Sequence, residues 1–144
     1  MKKINSNQLL ESLQADVRQI LLQASQLQQT DTTLLELEPA AGKWSIAQVL
    51  EHLNIYSRHY ITAIEKKLHL HQTTSRQFFI PGWLGNYFTR LMQPAAGNTI
   101  SKKMKAPKNA IPSATPSAAA MLKEFILHQH HLINLLQIAK TADL

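Results

Sequence analysis

Seven histidines are the side chains in this 144-residue sequence best suited to holding a metal or moving a proton, and their spacing sorts them. His52 lies in Leu50-Glu51-His52-Leu53, an apolar setting in which an imidazole without a hydrogen bond or a metal would be costly. His59 follows two helical turns later. His128 and His131 are three apart, so they share one side of a helix and could touch one metal ion, whereas His130 points elsewhere. His69 and His71 would converge only on an extended strand. The expectation there is a solvated helix end, where a protonated imidazole complements the macrodipole. The sequence has no cysteine, so any metal would be bound through nitrogen and oxygen. No Walker, glycine-rich phosphate or Ser-His-Asp signature points to another reaction.

The helix that must carry His52 has a well-marked start. Ser45 and Gln48 form a capping box, each side chain satisfying a backbone N–H of the first turn, and Trp44 with Val49 is placed to form a hydrophobic staple. Val49, His52, Tyr56, His59 and Ala63 then make one row, and Ile46, Leu50, Leu53, Tyr60 and Ile64 a second beside it. This pattern predicts a helix with a broad packing face, running to about Lys67 or Leu68.

Before it, Asn5 with Gln8 is a cap, and Leu10, Leu13, Val17, Ile20, Ala24 and Leu27 form a seam ending near Gln28, with Glu11 and Asp16 on the polar side. Thr30 to Thr33 is turn chemistry, and residues 34–42 cross irregularly past Pro39 and Gly42. After the His52 helix, Pro81 suits the first position of a short helix carrying Trp83, Leu84, Tyr87, Phe88 and Leu91 and ending near Pro94. It is expected to lie on the bundle, as a lid or interface or simply as cover for an open core edge. Residues 95–115 read as loop. Thr115 as N-cap and Pro116 at N1 open a last helix to about Lys140, with Ala118, Met121, Phe125, His128, Leu132, Leu135 and Ala139 as its seam.

The length suits one domain, residues 1–144, and the class expected is all-α: three long helices plus a short aromatic one in an up-down bundle. No stretch is long and apolar enough to span a bilayer, and the N-terminus has no continuous apolar leader, so a cytoplasmic protein without a membrane partner is expected. Lys102, Lys103, Lys105 and Lys108 supply four of the six net positive charges. Nucleic acid is not the expected partner, because that cluster has neither interleaved aromatics for stacking nor arginine for reading base edges. A solvated loop is.

The run Lys43-Trp44-Ser45-Ile46-Ala47-Gln48-Val49-Leu50-Glu51-His52-Leu53 resembles the second-helix signature of the DinB-like superfamily of four-helix bundles. The resemblance implies that His52 is one of three histidines binding a divalent metal, with zinc, nickel and iron all open. It also implies a homodimer. The other two family histidines stand in a fourth helix as His-x-x-x-His, which this sequence lacks. Residues 117–140 correspond in order to the third helix, so the domain is expected to want its C-terminal fourth helix. His128 and His131 are therefore metal candidates by their spacing and not by the resemblance.

Three functions follow as expectations. One is a metal-dependent hydrolase or thiol-group transferase acting on an unassigned small molecule, with metal-bound water as nucleophile. Another is a non-catalytic dimeric bundle whose histidines are hydrogen-bonded core residues. The third is an interaction module docking acidic partners through Lys102 to Lys108.

Overall fold

The computed structural model describes residues 3–70, 74–93 and 104–144, and the expected all-α architecture is what it contains. Helix α1 spans Ser6–Leu27, α2 Thr32–Glu36, α3 Ile46–Leu70, α4 Trp83–Met92 and α5 Ala118–Ala139. Two short strands, β1 (Ile4–Asn5) and β2 (Phe78–Phe79), pair antiparallel with Ile4 opposite Phe79. Neither strand shows in the hydropathy pattern, being two residues long.

Caps set the helix limits. Asn5 Oδ1 accepts from the N–H of Gln8 at 3.0 Å, as expected for α1. Asp31 Oδ1 accepts from the N–H and the hydroxyl of Thr33, both at 2.9 Å, which converts the expected turn at Thr30 to Thr33 into the start of α2. These bonds to the ionised form hold the Asp31 carboxyl below its usual range. Gly82 caps α4 and Trp83 is its first residue, so Pro81 stands one residue before the cap and not at the first helical position. The last helix begins later than Thr115-Pro116 suggested: Ser117 Oγ accepts from the N–H of Ala120, and Ala118 is the first helical residue.

The three long helices meet through α5. Gln14 Nε2 donates to Gln137 Oε1 at 3.2 Å, while Ala24, ten residues on, packs against Leu122 and Phe125, so α1 and α5 run antiparallel. Along α3 the partners rise together instead: Asn54 with Met121, Arg58 with Glu124, Glu65 with His131. Helices α3 and α5 are therefore parallel. The connection between them must travel back the length of α3, about 37 Å for 25 residues. One core cluster, Ala24, Leu50, Leu122 and Phe125, lies toward the end of the bundle where α1 finishes and α3 and α5 begin, with Leu35, Ala47 and Ala118 packed together near it, and Leu10, Val17, Ile61, Leu135 and Ala139 are buried as well.

Packing departs from the expected faces in one instructive way. On α3 the buried residues are Ala47, Gln48, Leu50, Asn54 and Ile61, while Ile46, Val49, Leu53, Tyr60 and Ile64 are exposed. Thus Val49 of the first row and, Leu50 apart, the second row are rotated off the interface. The cause is two buried amides with partners on the opposite chain segment, which a hydropathy pattern scores as surface. Helix α1 shows a milder version, with Leu10, Val17 and Ala24 buried but Leu13 and Ile20 exposed. Between α1 and α3 lies a cleft of about 410 Å³ lined by Ile20, Ala24, Leu27, Leu50 and Phe125 together with the polar Gln23, Gln26 and Thr30. The expected lid or cover over a core edge is not what α4 forms, since none of its residues is buried; of its apolar half Trp83, Leu84, Tyr87, Phe88 and Met92 are exposed and Leu91 is partly buried.

Candidate metal-ligand site at His52

The first two turns of α3 hold His52 by a chain of local causes. Gly42 adopts the left-handed conformation (φ 71°), which a residue with a Cβ resists, and the N–H of Lys43 closes that turn on the carbonyl of Ala40 at 2.9 Å. The turn delivers Trp44 and Ser45 to the helix start. There the expected capping box is formed: the Ser45 N–H donates to Gln48 Oε1 at 2.8 Å, and the Gln48 N–H to Ser45 Oγ at 3.2 Å. Val49, the expected staple partner of Trp44, stays 41% exposed. The Trp44 ring lies against His52.

Gln48, Glu51 and His52 stand at i, i+3 and i+4, hence on one face, and together they bind the segment preceding α5. Gln48 Nε2 donates to the carbonyls of Ser113 and Ala114 at 3.3 and 3.2 Å. Glu51 Oε2 accepts from both the N–H and the hydroxyl of Ser113 at 2.7 and 2.8 Å. His52 Nδ1 lies 2.6 Å from the carbonyl oxygen of Ala110, at the end of the 3₁₀ turn Lys108–Ala110. A carbonyl only accepts, so Nδ1 carries the proton. In the neutral ring Nε2 is then the nitrogen with the free lone pair.

Around the half-buried imidazole the walls are aromatic. The Trp44 ring is 5.1 Å away centroid to centroid, and Tyr56 meets it edge-on at 5.0 Å. Tyr60 stacks on Tyr56 at 6.3 Å and 14°, and His59, itself exposed, packs edgewise on Tyr60 at 5.2 Å. The rings thus extend from His52 along the exposed side of α3.

The other candidate imidazoles are engaged elsewhere. Arg58 binds Glu124 with two hydrogen bonds, Nε to Oε1 at 2.6 Å and Nη2 to Oε2 at 2.8 Å. His128 Nε2 lies 3.2 Å from the same Oε1. The guanidinium holds the Glu124 carboxyl below its usual range, with His128 helping and partial burial opposing. His131 Nε2 is 3.5 Å from Glu65 Oε1, so His128 and His131 answer to different glutamates despite sharing a helix side. His130 is exposed, His69 sits in the exposed last turn of α3, and His71, Lys102 and Lys103 lie outside the described residues. Among the described residues no three His, Asp or Glu side chains are grouped so as to hold a metal ion.

A family model described as the DinB superfamily matches residues 8–144. The chain belongs to the DinB superfamily. No curated protein and no solved structure matches it. In this DinB-superfamily chain the run Lys43 to Leu53 becomes the cap and first two turns of α3. The described residues do not fit a three-imidazole centre by themselves: His52 turns one nitrogen to the Ala110 carbonyl, while His128 and His131 each turn one toward a different glutamate, 3.2 and 3.5 Å away, and the three are not grouped. Nothing in the sequence marked the Ala110 carbonyl as the partner of His52. The nearest available signal was the polar pair Gln48 and Glu51, spaced to share a face with it.

Proposed function

We propose that this chain provides one imidazole ligand, His52 Nε2, to a divalent-metal centre of the DinB type, whose other donors come from outside the described residues. The observation that supports it is the 2.6 Å contact between His52 Nδ1 and the Ala110 carbonyl. Ligating histidines characteristically donate their second ring N–H to a carbonyl or carboxylate, which fixes the tautomer and aims the lone pair. Zinc, nickel and iron are each compatible with imidazole ligation. Such an ion would supply Lewis acidity and an acidified water, the chemistry of a hydrolase or thiol-group transferase acting on a small molecule. The protein's own part is to orient the ring, through Ala110, and to wall it with Trp44 and Tyr56. A second copy covering the exposed apolar row of α3 would make the assembly a homodimer.

A second reading keeps the bundle and omits the metal. Each of His52, His128 and His131 has a protein partner, as in a structural, dimeric bundle. Titrating untagged protein with Zn²⁺ and Ni²⁺ while following every histidine by NMR separates the two. Under the metal reading the His52 resonances respond first, and His52→Ala removes that response with the fold intact. Under the structural reading, no histidine is preferred, or His128 and His131 respond alike with or without His52.

A further inference from the structure

Helix α4 is the most amphipathic helix of the described residues, and none of its side chains is fully buried there. Successive residues turn by 100°, which places Trp83, Leu84, Tyr87, Phe88, Leu91 and Met92 on one half of its circumference and Gly85, Asn86, Thr89 and Arg90 on the other. Trp83 is 74% exposed and Met92 68%, and Phe78 and Ile80 just before the helix are exposed as well. Water is a poor partner for such a face.

The charge around it is equally one-sided. Between Leu70 and Ala118 the sequence holds six lysines and arginines and no acid, so the connection from α3 to α5 carries the whole net charge of +6 while the remainder is balanced, and of the six Arg76 is paired with Asp143 at 3.0 Å. Of these cations Arg90 lies on α4 itself, at the border between its polar and apolar halves, and Lys105 and Lys108 are exposed near the return to α5.

We propose that α4 is a peripheral membrane-binding element that lies flat in the headgroup region of an anionic bilayer. An interfacial helix needs an apolar face to enter the acyl boundary, aromatic side chains that favour the headgroup level, and basic residues to meet anionic lipid. Trp83 and Tyr87 with Phe88 and the leucines meet the first two needs. Arg90 and the acid-free flanks meet the third. The lysine cluster by itself has no apolar face to enter a bilayer; α4 supplies one in the same connection, unburied. Nucleic acid is the poorer match, since Leu84, Leu91 and Met92 have no ring to stack on a base. The α4 of a second copy is poorer too, because it would bring two acid-free segments face to face.

The test is co-sedimentation of the full 144-residue chain with vesicles of phosphatidylcholine alone and of phosphatidylcholine with one quarter phosphatidylglycerol. The expected result is binding to the anionic vesicles only, weakened by high salt, and reduced about tenfold or more by Leu84→Asp with Phe88→Asp and also by Lys105→Glu with Lys108→Glu. Circular dichroism checks that these exposed substitutions leave the helices intact. No sedimentation with either vesicle overturns the proposal, as does binding indifferent to the α4 substitutions. It is also overturned if Leu84→Asp with Phe88→Asp abolishes a dimer or a DNA complex while vesicle binding was absent from the start.

Discussion

Asn54 Nδ2 donates to the carbonyl of Met121 at 2.9 Å, from a side chain with no exposed surface at all. This one amide joins the middle of α3 to α5 and, with Gln48, decides which side of α3 faces inward. Asn54→Ala removes the donor and leaves a small void, at an expected cost of about 2 kcal/mol. Asn54→Asp should be worse than Asn54→Ala, because a buried carboxylate would face a carbonyl with no proton between them. Urea denaturation followed by circular dichroism ranks the pair.

The cap of α3 does two jobs that substitutions separate. Ser45→Ala deletes only the capping bond and should cost about 1 kcal/mol. Gln48→Ala also releases the carbonyls of Ser113 and Ala114, so it should be more destabilising than Ser45→Ala. Hydrogen exchange should then show residues 110–114 loosened in Gln48→Ala and little changed in Ser45→Ala.

The Arg58–Glu124 pair gives a pH dependence of known sign. The folded-state carboxyl of Glu124 is held below its usual value of 4.5, so the unfolded chain takes up the proton first as pH falls. The stabilisation is therefore complete above about pH 5 and is lost as pH drops through the lowered folded value. Arg58 is half exposed, which limits the pair to about 1 kcal/mol. Glu124→Gln should be less stable than the parent by that amount at pH 7 and nearly equal to it at the acid end. Denaturation midpoints measured from pH 3 to 7 give the comparison.

Two leucines of equal hydropathy should differ sharply. Leu50 is 5% exposed and belongs to the core with Ala24, Leu122 and Phe125, so Leu50→Ala should cost about 3 kcal/mol. Leu84 is 50% exposed on α4, and Leu84→Ala should change stability by no more than about 0.5 kcal/mol. Thermal melts of the two variants decide it.

Much of the fold was legible because its local signals are short-range. Asn5 and Ser45 mark their helices through bonds spanning three residues, and the seam of α5 places Ala118, Phe125, Leu135 and Ala139 in the core as the spacing predicts. Faces were harder. Val49, Leu53 and Ile64 look like core and are not, because Gln48 and Asn54 find acceptors more than sixty residues away. Likewise His52 could be recognised as an imidazole needing a partner, yet its partner is a backbone carbonyl 58 residues on, and carbonyls carry no sequence label. The exposure of α4 was hidden for the same reason: an apolar stripe specifies a face without specifying what meets it.

The orientation of the His52 ring is tested most directly by a long-range ¹H–¹⁵N correlation spectrum of the histidine side chains, recorded above the usual imidazole titration range and repeated with His52→Ala as the control for assignment. The expected result is His52 held as the tautomer protonated at Nδ1, with Nε2 bare and the first ring nitrogen to shift when Zn²⁺ is added. A ring protonated at Nε2, or exchanging freely between tautomers and blind to the metal, would contradict it.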